Sequence, residues 1–172
     1  MHVNFCARCG AELTTRFESG RDRPACPECG YIVYSNPTAV GIVVATRGDK
    51  LLLVHRRHPP LAGYWAPPAG HIEFDESIQE GTAREAKEET GFDVSIGRLL
   101  NVYSQANTGV VLVVYDGQII GGDMAADEEE VMEVRFFGRD ELPRQPAPTN
   151  GTIVERMFFQ SIEELFEDFR NR

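Results

Sequence analysis

Between Gly70 and Gly91 the chain carries seven carboxylates: Glu73, Asp75, Glu76, Glu80, Glu85, Glu88 and Glu89. Two strong bases, Arg84 and Lys87, stand against them, so the local charge is −5, half of the formal −10 of all 172 residues. Like charges three and four apart on a helix repel by a few tenths of a kcal/mol per pair. With Glu85 at 0° on a helix turning about 100° per residue, Glu88 falls at about 300° and Glu89 at about 40°. Three carboxylates then share one arc, and such a cluster calls for a cation. Hard oxygen ligands on a partly open face favour Mg2+ or Mn2+ over zinc. From the residues alone, a solvated acidic face paired with Arg84 and Lys87 remains the alternative.

A second group of ligands has the opposite chemistry. All four cysteines lie near the start, as Cys6-x2-Cys9 and Cys26-x2-Cys29 with sixteen residues between the pairs. That spacing suits a four-cysteine zinc site. Each pair is followed by glycine, in "CARCG" and "CPECG", which lets the backbone fold back and aim amides at the sulfurs. Four thiolates suit tetrahedral zinc at about 2.3 Å, leave no open position, and so make a structural site of one zinc per chain. Disulfides would fit a secreted chain, but "MHVNFCARCG" shows no leader pattern.

Elements must position these groups. The ribbon is expected over residues 1–34, with "SNPT" as a joint and a second domain over 35–172. "AVGIVVAT" and "KLLLVHRR" read as strands around the "RGDK" turn. "HPPLAGYWAPPAG" reads as a loop. A helix follows, capped by Asp75 or Ser77 and ended by Gly91. "FDVSIGRLLNVYSQ", "GVVLVVYDGQII" and "VMEVRFF" read as strands, with "GGDMAADEEE" as an acidic loop. In the last stretch Val154, Phe158, Ile162, Leu165, Phe166 and Phe169 recur at helical spacing, as core or dimer contact. Strands with one mid-chain helix and one final helix predict a mixed α/β sandwich. At 42% hydrophobic residues the chain can bury a core. A pI near 4.9 argues against a nucleic-acid partner, and the ribbon's own charges are mixed. No stretch approaches the about 18 apolar residues of a membrane span. The chain therefore reads as soluble and cytoplasmic.

The acidic segment resembles the Nudix box, G-x5-E-x7-R-E-U-x-E-E-x-G-U with U apolar: Gly70, Glu76, Arg84, Glu85, Ala86, Glu88, Glu89, Gly91 and Phe92 fall on it. The resemblance implies an α/β/α sandwich on a mixed sheet, preceded here by a small zinc ribbon. It implies hydrolysis of a nucleoside diphosphate linked to another group, with Mg2+ or Mn2+ neutralising the pyrophosphate and activating water. Glu85 and Glu89 then look like the principal metal ligands. Glu88 is an additional one, and the carbonyl of Ala69 is similar to a backbone ligand. Arg84 would orient a glutamate. "ADEEEVMEVRFF" resembles the later E-x-x-E-x-R-aromatic segment, with Glu130 as a fourth ligand or general base and Glu129 the weaker candidate. Arg56 or Arg57 could hold a phosphate with a guanidinium fork, and strand alternation lets only one of them reach the site. Trp65 is expected in packing. His55, His58 and His71 lack metal-ligand spacing and are assigned no role.

A ribbon directly before such a domain resembles NADH/NAD-capped-RNA pyrophosphatases and FAD/ADP-ribose pyrophosphatases. In the first group a tyrosine soon after the last zinc cysteine stacks on a base, and Tyr34 looks similar; the residues equally allow a packing tyrosine. That group also carries S-Q-P-W-P-F-P, from which "SQANTGV" departs after Gln105. No proline stands between Pro68 and Pro143, so the proline that marks many ADP-ribose pyrophosphatases is missing too. "GYWAPPAGHIE" reads more like the FAD/ADP-ribose type. The expected reaction is pyrophosphate hydrolysis of ADP-ribose or FAD, releasing AMP. NADH or nucleoside-triphosphate hydrolysis and a catalytically idle nucleotide sensor are the alternatives. A homodimer is implied by the resemblance alone.

Overall fold

The computed structural model describes residues 3–146, 148 and 151–171. The chain divides into two compact units after Asn36.

In the first unit β1 (Thr14–Glu18) and β2 (Arg21–Ala25) form an antiparallel hairpin. On either side of it stands a turn built the same way. The Cys6 amide donates to the Ala11 carbonyl and the Cys26 amide to the Tyr31 carbonyl, both at 2.8 Å. Gly10 and Gly30, at φ 77° and 72°, occupy the left-handed conformation that closes each turn.

The second unit is organised around β3 (Thr38–Arg47) and β4 (Lys50–Arg56). The two strands stay paired only at Thr46–Leu51 and Arg47–Lys50, beside their turn. They then part, and other strands fill in. β5 (Trp65–Ala66) pairs with β4, and β6 (Ala69–His71) lies antiparallel to β3. β7 (Phe92–Ser104) is antiparallel to β8 (Val110–Gly122), which runs parallel to β3. β9 (Val131–Phe137) runs antiparallel to β4. The stretch that reads as a loop between β4 and the helix thus holds two short strands.

Alternate residues of a strand face opposite sides. Val43, Ala45, Leu52 and Val54 accordingly pack with Ala86 of α1 (Ile78–Thr90), whereas Ile42, Val44, Leu51 and Leu53 pack with Ile162, Leu165 and Phe166 of α2 (Ile153–Asn171). A strand covered on both faces needs an unbroken apolar run, which is what "AVGIVVA" supplies. The result is the expected α/β/α sandwich on a mixed sheet. The apolar stripe of α2 is core: Ile162, Leu165, Phe166 and Phe169 are all buried.

The caps of α1 are explicit. Ser77, not Asp75, caps the helix: its hydroxyl accepts the Glu80 amide at 3.3 Å, and the Glu80 carboxylate accepts the Ser77 amide at 2.9 Å. Gly91 closes the other end at φ 79°. Among the described residues no helix is long and apolar enough to cross a membrane.

Candidate functional site

The four thiols of the first unit lie with their sulfurs within 4.8 Å of one another. Cys6 Sγ and Cys29 Sγ are 3.6 Å apart, and Cys9 Sγ and Cys26 Sγ 3.4 Å. A tetrahedral ion with metal–sulfur bonds of about 2.3 Å needs sulfurs about 3.8 Å apart, so the cluster fits such an ion with small adjustment. The Arg8 amide points at Cys6 Sγ and the Cys29 amide at Cys26 Sγ, each at 3.4 Å. These donors favour thiolate over thiol, and the Cys29 amide draws Cys26 down to about 7.

The carboxylates of the second unit form a different kind of site. A cleft of about 240 Å³ is lined by Arg56, Ala69, Gly70, Glu85, Glu89 and Glu130. They come from four separate pieces of the framework. Arg56 ends β4, beyond the point where β3 and β4 part; Ala69 and Gly70 belong to β6, which lies beside β3. Glu85 and Glu89, four apart, share one face of α1. Glu130 stands on the turn just before β9.

Glu89 is 4% exposed, and its Oε2 accepts the Ala69 amide at 3.0 Å. Burial pushes its carboxyl up to about 8. Arg56 and the Ala69 amide oppose that shift, and the nearby charges of Glu85 and Glu130 add to it. Burial also raises Glu85, against the pull of Arg84. Both acids gain from a cation in the cleft, because a dication opposes the burial that disfavours their charged forms. The donor set consists of hard oxygens, which fits Mg2+ or Mn2+. Gly70 is pressed against this arrangement. A β-carbon there would lie 2.0 Å from Glu85 Cδ, so any side chain would evict the carboxylate.

Arg84 ties the acids together. It donates to Glu76 Oε1 at 2.7 Å, Glu85 Oε1 at 2.9 Å, Glu88 Oε2 at 2.7 Å and the His71 carbonyl at 3.0 Å. Bonding from Arg84, with help from the Glu73 amide, holds Glu76 down at about 2. Glu88 is turned outward to this guanidinium, about half exposed, and is not among the residues lining the cleft. Of the two adjacent arginines, Arg56 lines the cleft, and its Nε is buried without a hydrogen-bond partner among the described residues. A buried orphan donor of this kind suits an incoming phosphoryl oxygen. Arg57 lies past the end of β4 and is exposed. Tyr34 is about half exposed, with the Arg23 guanidinium 4.6 Å above its ring. Trp65 packs edge-on to Phe137 and flat on His55.

His58 and His71, to which the sequence assigned nothing, also line the cleft. No local pattern marks them. His58 faces the turn that carries Glu130, more than seventy positions away in the chain.

An α/β/α sandwich with an acidic helix facing an open cleft, and a four-thiol ribbon ahead of it, defines a class. The chain belongs to the Nudix domain family, whose signature matches residues 35–157. Residues 4–35 match the accompanying Nudix N-terminal zinc ribbon. The chain is 33% identical over 144 residues to the NAD-capped RNA hydrolase NudC of Stutzerimonas stutzeri, which covers 83% of this chain and 51% of that protein. It is 32% identical over 118 residues to an ADP-ribose pyrophosphatase of Methanocaldococcus jannaschii, covering 66% of this chain and 69% of that one. Its fold is similar to the crystal structure of a NUDIX hydrolase from Nitrosomonas europaea. There the TM-score is 0.79 at 31% identity, over 94% of this chain and 92% of the other. The chain spans about half the length of the NAD-capped RNA hydrolase it matches.

Proposed function

We propose that residues 35–172 hydrolyse the pyrophosphate bond of a nucleoside diphosphate linked to another group, ADP-ribose or FAD, and release AMP. A zinc ribbon over residues 1–34 precedes this domain, with one structural zinc on Cys6, Cys9, Cys26 and Cys29. The observation that carries the reading is the buried Glu89 beside Glu85 and Glu130 in a cleft that also holds the orphaned Arg56 donor.

Glu85, Glu89 and Glu130, with the carbonyl of Ala69 and Glu88 as a further donor, would hold Mg2+ or Mn2+. The bound ions would neutralise the phosphates and make a water easier to deprotonate, so that it can attack phosphorus. The remaining roles fall to side chains of the chain. Arg56 binds a phosphoryl oxygen and fixes the substrate for in-line attack. Glu130, the most solvent-exposed carboxylate of the cleft, would take the proton of the attacking water. Arg84 keeps Glu85 and Glu88 from wandering, and Arg57 is left as a peripheral phosphate contact. Tyr34 supplies a ring for a base.

A second reading is hydrolysis of NADH or of an NAD-linked cap, favoured by the similarity to NAD-capped RNA hydrolases and by the half-exposed Tyr34. The departure of "SQANTGV" from that group's pattern weighs against it. A catalytically idle sensor is disfavoured because nothing in a sensor requires Glu89 to be buried beside like charges. The deciding experiment is a hydrolysis panel of ADP-ribose, FAD, NADH, NAD and dGTP with Mg2+ or Mn2+. Preferential cleavage of ADP-ribose or FAD to AMP supports the first reading. Preference for NADH selects the second, and tight nucleotide binding without cleavage selects the sensor. A homodimer is proposed on resemblance, and light scattering tests it.

A further inference from the structure

We infer that His58 is a positioning residue for Glu130, pinning the acidic turn so that this carboxylate faces Glu85 and Glu89 across the cleft. The inference rests on the reading of Glu130 given under Proposed function. Glu130 sits on a turn of the acidic stretch Asp123–Glu130, which is exposed along its length and has no core side chain to anchor it. Within the turn the Glu130 amide donates to the Asp127 carbonyl at 3.1 Å, which shapes the turn but does not fix it to anything else. Farther up the stretch the Ala125 amide donates to the Thr90 carbonyl at 2.9 Å, and two cross-links hold the turn at Glu129 and Glu130 themselves. The Arg57 amide donates to the Glu130 carbonyl at 3.2 Å, and His58 Nε2 lies 2.7 Å from the Glu129 carbonyl oxygen.

The second contact assigns a proton. A carbonyl oxygen only accepts, so His58 Nε2 must be the donor, and the tautomer follows. The ladder explains why a side chain is needed. β4 and β9 pair regularly from Leu51–Phe137 to His55–Glu133, and then the register shifts so that Arg56 faces Val131. The irregularity drops Met132 from the ladder, pairing resumes only at Arg56–Val131, and Glu130 lies one residue past that last paired position. Arg57 supplies one bond from its main-chain amide and His58 the other from its side chain, beside the cleft that His58 itself lines. A misplacement of about 1 Å in a reacting group can cost about a hundredfold in rate, so a single short bond to the neighbouring carbonyl has kinetic weight.

The test uses the full chain with zinc in place and four variants: His58→Leu, His58→Gln, Glu130→Gln and His58→Leu with Glu130→Gln. A glutamine amide reaches close to where histidine Nε2 sits and keeps the donor. The first readout is amide hydrogen exchange of residues 127–131 without substrate or added divalent ion. His58→Leu should speed it and His58→Gln should not. The second is kcat on the substrate cleaved fastest in the hydrolysis panel. His58→Leu should lower kcat by about tenfold with KM little changed, and His58→Gln should recover most of it. The effect should vanish in the Glu130→Gln background, because two residues acting through one contact are not additive. Unchanged exchange in His58→Leu overturns the pin. An equal loss of kcat with and without Glu130 overturns its catalytic meaning. If Glu130→Gln alone hydrolyses like the parent, the reading of Glu130 fails and the positioning role falls with it. The exchange readout, which needs no turnover, separates that failure from a failure of the contact itself.

Discussion

The two ligand clusters of this chain solve opposite problems. In the ribbon, four thiols stand within 4.8 Å of one another, with backbone amides aimed at two of their sulfurs. Nothing else is needed to seat a tetrahedral ion, and no position is left open for a substrate. In the cleft the carboxylates do not converge. Among the described residues the thiols are the one set close enough to share an ion as they stand. Glu85 and Glu88 are held by Arg84, Glu89 by the Ala69 amide, and Glu130 by its turn. The difference separates a ligand set that fits a closed, tetrahedral ion from one held apart around an open cleft. The first is pre-closed. The second stores unfavourable burial that a dication would relieve.

The comparison can be broken first at the ribbon. Its hairpin is short and Phe5 and Phe17 are exposed, so it has little core of its own. Structural zinc supplies about 10–16 kcal/mol of folding free energy in small domains of this kind. Metal analysis should find one zinc per chain, and Cys6→Ser or Cys29→Ser should remove it and unfold residues 3–36 in amide NMR spectra while the second unit stays folded. A metal-free parent with a folded ribbon would contradict the closed-site reading.

The next largest effect belongs to Gly70. The Ala variant puts a methyl group where Glu85 Cδ now lies. Glu85 must swing away, and hydrolysis should fall by about a hundredfold with the circular-dichroism spectrum unchanged. An active Gly70→Ala would mean that Glu85 is not needed where it stands.

The stored burial in the cleft has a pH signature. Glu89 is raised from 4.5 to about 8 in the folded chain. Between those values the folded protein keeps a proton that the unfolded chain has released, so the contribution of Glu89 to stability is fully present below 4.5 and is lost as pH rises toward 8. Thermal melts in zinc-replete buffer without Mg2+ should show that decline. Glu89→Gln should flatten it, and saturating Mg2+ should oppose it. A parent melting profile that is flat over this window, or identical to that of Glu89→Gln, would remove the stored strain from the account.

The smallest effect is at the cap. Ser77→Ala removes one half of the capping box and should cost about 1 kcal/mol. Chemical denaturation measures it, and the ribbon's zinc content should not change.

Much of this was legible in the residues because it rests on local rules. The helix, its glycine stop and a cap at Asp75 or Ser77 follow from side chains a few positions apart, and the thiol cluster from two matched turns; the choice of Ser77 needs the structure. The strands around "RGDK" and the apolar stripe of α2 follow from periodicity. The remainder is long-range. β5 and β6 are two and three residues long and have no period to read; they exist because β3 and β4 part and leave edges to be paired. The outward turn of Glu88 depends on where the Arg84 guanidinium lies. The wheel that groups Glu85, Glu88 and Glu89 is correct in angle yet says nothing about that pairing. Gly70 shows as a fixed position in the sequence, but its reason, contact with Glu85, appears only when β6 meets α1. The place of His58 depends on a residue more than seventy positions away.

The central claim is that the cleft carboxylates hold a divalent ion for pyrophosphate hydrolysis. Its most direct test is Mg2+-dependent turnover of the panel's fastest substrate by the parent and by Glu89→Gln. The account predicts hydrolysis by the parent that stops when Mg2+ is omitted, and a loss of at least about a hundredfold in kcat for a folded, zinc-loaded Glu89→Gln. Equal turnover by the two proteins, or turnover indifferent to divalent ions, would contradict it.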